Sequence, residues 1–181
     1  TRIALTGRRV PLAPLLAQIM PAAVPYCRGN VDAMVRGTFT AWGAARAFEG
    51  EVGWVGDSLA ISFPPAWEAF LPLWREAGEP ELTTCAMAAS LKATPRLTLL
   101  STLQVRHATL QVAATGQATA AGNLRLEVTA LPQREGALRF AEHGGLDIPP
   151  GRVAQSRWLV AGTMDNPRWE WLTTYPVDTV L

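Results

Sequence analysis

Leu124-Arg-Leu-Glu-Val128 is the stretch on which the fold turns. Its apolar residues recur at every second position, so Leu124, Leu126 and Val128 share one face and Arg125 and Glu127 the other. A period of two leaves one face dry and one wet, as in an antiparallel sheet covered on one side. The same rhythm runs through Leu59-Ala-Ile-Ser-Phe63, Thr109-Leu-Gln-Val112 and Val153-Ala-Gln-Ser-Arg-Trp-Leu-Val160.

Working outward, the rhythm begins at Val31, where Val31, Ala33 and Val35 oppose Asp32, Met34 and Arg36. Strands are expected over 31–42, 46–54, 58–63, 81–89, 96–105, 108–114, 123–130, 137–141, 153–161 and 168–175. Gly50 and Gly53 read as bulges and Gly56-Asp57 as a turn. Residues 66–77 are the one strong helix candidate, with Trp67, Phe70, Leu71 and Trp74 on one stripe and Gly78 as a cap. Residues 1–25, punctuated by Pro11, Pro14, Pro21 and Pro25, read as an irregular arm. Within it Leu15 to Met20 can make one or two helical turns, opened by Pro14 and ended by Pro21. The expected fold is therefore mainly β: a large curved antiparallel sheet, sandwich or open barrel with one short amphipathic helix. Residues 26–181 are expected to form a single β-rich domain.

Composition narrows the function classes. Hydrophobic residues make up 49% of the 181 and charged residues 17%, enough for a core and too little charge for disorder. Net charge is +1, and of sixteen Lys and Arg residues only Lys92 is a lysine. The basic residues are scattered, which argues against phosphate-backbone binding and nucleic-acid partners. No run approaches the roughly 18 apolar residues of a membrane-spanning helix. The first residue is Thr1, so an anchor or signal segment upstream of it stays open.

No catalytic or cofactor motif is present. G-x-S-x-G, the Walker loop and G-x-G-x-x-G are all missing. His107 and His143 are the only histidines, too few for a metal cluster, and His143 beside Glu142 reads as a loop histidine. Glu49 and Glu51 share a strand face but face no second carboxylate across a cleft that the sequence can define. The expectation is a non-enzymatic protein with no cofactor and no metal.

Cys27 and Cys85 are the only thiols. One reading joins them in a long-range disulfide, stabilising by about 4 kcal/mol and implying an oxidising compartment. The other leaves two buried thiols. Of the seven tryptophans, Trp169 and Trp171 point to one face of a strand and Trp158 sits on a neighbouring strand. These three are the candidate partner-binding residues, as an aromatic surface or as part of the sheet's covered face.

At Arg36-Gly-Thr-Phe-Thr-Ala-Trp-Gly43, followed by Phe48-Glu-Gly-Glu-Val-Gly-Trp54, the chain resembles the N component of bacterial type II secretion systems. Leu110-Gln-Val-Ala-Ala-Thr-Gly116 and Ala121-Gly-Asn-Leu-Arg-Leu-Glu-Val128 are similar to that family's glycine-spaced strands, whereas 135–150 departs from its pattern. The resemblance implies a periplasmic domain, anchored in the inner membrane by a segment outside this chain, that contacts other secretion components including the secretin. It implies no catalysis and no cofactor. The alternative is a periplasmic carrier of lipid or another hydrophobic ligand, holding its cargo in a curved β-sheet groove.

Overall fold

Period-two patterning produces what it should: strands that pair with their sequence neighbours. In the computed structural model, which describes residues 1–42, 45–62, 81–108, 110–119, 121–132, 152–163 and 165–178, ten strands form one open antiparallel sheet. They are β1 (Arg2–Pro11), β2 (Cys27–Arg28), β3 (Asn30–Trp42), β4 (Ala45–Ser62), β5 (Glu81–Ala93), β6 (Leu97–Arg106), β7 (Leu110–Thr119), β8 (Asn123–Pro132), β9 (Arg152–Thr163) and β10 (Pro167–Asp178). Their order is β1-β3-β4-β5-β6-β7-β8-β9-β10, with β2 paired to β4. Between β1 and β2 lie a helix, α1 (Leu12–Ile19), and a 3₁₀ helix, Pro21–Tyr26. The expected helix at 66–77 and strand at 137–141 lie outside the described residues.

One face of the sheet is mostly apolar, with Thr98 and Ser156 the buried polar residues among those described. In register across it run Val52 and Leu91, Trp54 and Ala89, Val105 and Val112, Ala114 and Val128, Leu126 and Val160. These residues join Leu12 and Leu16 of α1 in one core. The opposite face carries the charge, including the Lys92–Glu51 pair at 3.5 Å and an Arg157–Glu127 ion pair between β9 and β8. Both pairs are about half exposed, so each contributes at most about 1 kcal/mol.

The sheet bends toward its apolar face. Strands lie about 4.8 Å apart, so a flat sheet would hold β4 and β10 nearly 30 Å from each other. Yet Trp54 of β4 and Trp169 of β10 line the same cavity. Bulges supply the bend, because each adds local twist. Register shifts fall in the β4–β5, β5–β6, β6–β7 and β9–β10 ladders.

Three local expectations are corrected. Gly56-Asp57 is not a turn: β4 runs through it, and the residues between Gly56 and Leu59 form a bulge that moves the buried set from Val52 and Trp54 to Leu59 and Ile61. A second bulge at Thr83 and Thr84, where Thr84 takes φ 57°, does the same for Leu82 and Cys85 on β5. Gly50 and Gly53 are not bulges either. Gly50 faces Gly37 in register, and Phe48 lies across both: a Cβ built on either glycine would fall within 3 Å of the Phe48 ring and of the facing backbone. Finally, residues 2–11 are an edge strand on β3 rather than an irregular arm, while the helix expected near Leu15 is α1, starting two residues before Pro14.

Candidate functional site

Residues 12–29 leave the end of β1, cross the apolar face and return. The neck of this excursion is closed by Leu12 N–H donating to the Gly29 carbonyl at 3.0 Å. Its underside, Leu12, Leu16 and Ala23, is buried. At the far end Thr98 Oγ1 on β6 donates to the Ile19 carbonyl at 3.1 Å, which satisfies both a buried hydroxyl and one of the orphan carbonyls of the helix C-terminus. Pro21 and Pro25 then confine the return to a short 3₁₀ segment.

Between this excursion and the sheet lies a cavity of about 180 Å³. α1 contributes Leu12 and Leu16; β4 to β8 contribute Trp54, Met87, Leu100, Leu103, Val105, Val112, Ala114, Ala118, Leu124, Leu126 and Val128; Trp169 closes the far side. The lining is almost wholly apolar. Among the polar groups beside it, the Trp54 indole N–H points to Met87 Sδ at 3.3 Å and Thr98 is bonded to the Ile19 carbonyl; Tyr26 and Ser62 also border the cavity. The cause of the cavity is readable on β7, whose inward positions after Val112 are Ala114, Gly116 and Ala118. Three small residues in succession cannot fill the space below α1, and apolar cavities of this size stay dry.

The three candidate tryptophans do converge. Trp171 pairs with Trp158 and Trp169 with Val160, so all three indoles are on the apolar side. Trp158 and Trp169 meet edge to face with ring centroids 6.5 Å apart and pack on the core. Trp171 differs. It sits next to the β10 bulge and is 57% exposed, with Leu172 exposed beside it. Trp171 is therefore the surface member of the group, and Trp169 belongs to the cavity wall.

The proposed Cys27–Cys85 disulfide is not formed; both thiols are free. Cys27 pairs with Ile61 on one side of β4 and Cys85 with Leu59 on the other. A whole strand separates them, about 9–10 Å by two ladder spacings, whereas a disulfide requires Cα atoms within about 7 Å. The argument for an oxidising compartment goes with it. Burial pushes both thiols up from 9.0 to about 11, with the neighbouring Cys27 adding to the effect on Cys85. Two units mean about a hundredfold less thiolate near neutral pH than in a free cysteine, so alkylation should be slow and should rise with pH toward 11. The unfolded chain releases these protons near pH 9 and the native state only near 11. Stability should therefore fall across that window, and the Cys27→Ala, Cys85→Ala double variant should lose that part of the fall in urea titrations at pH 9 and 11.

Glu49 and Glu51 lie on the charged face, exposed, as the period-two reading expects. His107 sits in the β6–β7 turn, and Glu142 and His143 lie outside the described residues. Among the described residues no three His, Cys, Asp or Glu side chains are grouped to hold a metal, and no helix is long and apolar enough to cross a membrane. No protein-family model matches this chain, and no curated protein or solved structure matches it either.

Proposed function

We propose that this chain is a cell-envelope protein that binds a hydrophobic ligand between the 12–29 excursion and the inner face of its sheet. The apolar cavity carries this reading. Almost all of the surface its lining exposes is apolar, although Tyr26, Ser62 and Thr98 border it. Burial of apolar surface at about 25 cal/mol per Å² is then the driving force, and specificity rests on shape.

A second reading has its own support. Among the described residues, β1 and β10 are the two edges of the sheet, whose outer N–H and C=O groups can accept an added strand. Trp171 and Leu172 stand exposed on the β10 edge. A periplasmic protein docking secretion components, as the resemblance to the type II secretion N family implies, would use such an edge. Native mass spectrometry of protein released gently from envelope membranes separates the two. A co-purified lipid-sized mass supports the carrier; a ligand-free protein complex supports the docking role and counts against the carrier.

A further inference from the structure

We infer that the ligand is an acyl chain, and that it lies along β6, β7 and β8 in the space the 12–29 excursion now partly fills. This rests on the hydrophobic-ligand reading and names its substrate class. The first reason is shape. Along β7 the residues that line the cavity run from Val112 to Ala118. Six residues span about 20 Å along a strand. The hydrocarbon of one bilayer leaflet is about 15 Å thick, half the core, so the lined stretch of β7 is long enough to lie along a single lipid tail.

The second reason is chemistry. Almost all the surface the lining exposes is apolar, so it has little to offer a carboxylate, phosphate or glycerol group. A buried polar head would lose several kcal/mol of hydration without return. The head group therefore stays in solvent and only the tail enters.

The third reason is volume. At about 180 Å³ the cavity is little larger than the roughly 150 Å³ that accommodates benzene. A full tail needs more room, and the excursion is the element able to give it. Its underside, Leu12, Leu16 and Ala23, covers the apolar face as a tail would. Besides its neck between Leu12 and Gly29 it is held by the Thr98–Ile19 hydrogen bond and by β2 on β4, so residues 12–26 can lift at the cost of the Thr98 bond without breaking a strand ladder. Gly29, at φ 126°, provides the bend where it returns. The tail and the excursion compete for one surface.

The test is hydrogen exchange read by mass spectrometry on the whole chain, with palmitate, with 1-palmitoyl-lysophosphatidylcholine below its micellar concentration, and with benzene. With a saturating palmitoyl probe, amides 12–26 should exchange about tenfold faster or more while β6–β8 become better protected. Benzene should leave 12–26 as protected as before. Response to palmitate alone identifies a free acid as the ligand; response to both probes identifies the tail, whatever its head. Binding of either probe with unchanged or stronger protection of 12–26 overturns displacement while leaving the hydrophobic-ligand reading intact. A palmitoyl probe that binds only after residues 13–26 are replaced by a short Gly-Ser linker also overturns it, since the excursion would then be a fixed part of the fold. No binding of any probe to either protein removes both readings.

Discussion

Ala114→Leu should abolish ligand binding while making the protein more stable. Ala114 is buried in the middle strand of the cavity wall, opposite Val128 on β8 and Leu103 on β6. A leucine there adds three carbons into existing empty space rather than into a packed core. At about 0.8 kcal/mol per buried methylene the gain is up to about 2 kcal/mol. The same atoms occupy the ligand's place, so affinity for a palmitoyl probe should fall by about a hundredfold or more. Urea unfolding and probe titration on the same sample read the two effects. A stable variant that binds as before would show that the cavity is not the site, whereas a destabilised one would show that the space does not accept a leucine. The opposite signs of the two expected changes make the test demanding, since general damage to the fold would lower both.

The largest stability effect is expected at Gly116, two residues along the same strand. Its φ is 142°, in the region that L side chains rarely adopt, and a Cβ there would stand 2.2 Å from the Arg125 carbonyl oxygen and 2.8 Å from Leu126 Cα. Both neighbours are backbone and cannot swing aside. Backbone strain of about 1–3 kcal/mol adds to overpacking of similar size, so Gly116→Ala should cost about 3 kcal/mol or more. Equilibrium urea unfolding should show the midpoint falling with its slope unchanged. Gly122, also at positive φ but with open space around its Cβ position, is the control: Gly122→Ala should cost less, its penalty being conformational only.

How much of this was legible in the sequence follows from where each signal comes from. Strands such as β7 and β8 announce themselves, because each is half buried along its whole length and period two is the direct result. The shared face of Trp169 and Trp171 follows from the same rule. β1 gave no such rhythm: it is an edge strand with most of both faces exposed, so nothing forces its residues to alternate. Gly56-Asp57 has the chemistry of a turn, and only the partner strand, with its own irregularity at Thr83 and Thr84, makes it a bulge within one continuous β4. That is a non-local fact. The separation of Cys27 from Cys85 by β4 is non-local too, since proximity and bonding distance differ by one strand. The cavity lay half in view: Ala114, Gly116 and Ala118 can be read off as a run of small inward residues, but the lid opposite them, from residues 12–29, cannot.

The strand path has one more consequence. Among the described residues nine strands lie in its main order, and every neighbour runs opposite to the last, so β1 and β10 point the same way. A cylinder of uniformly alternating strands needs an even count; with an odd one, sealing the two rims together would force a single parallel seam among antiparallel ladders. The described sheet is thus a trough rather than a uniformly alternating tube, and on the ligand-binding proposal such a trough would admit and release its cargo from the side.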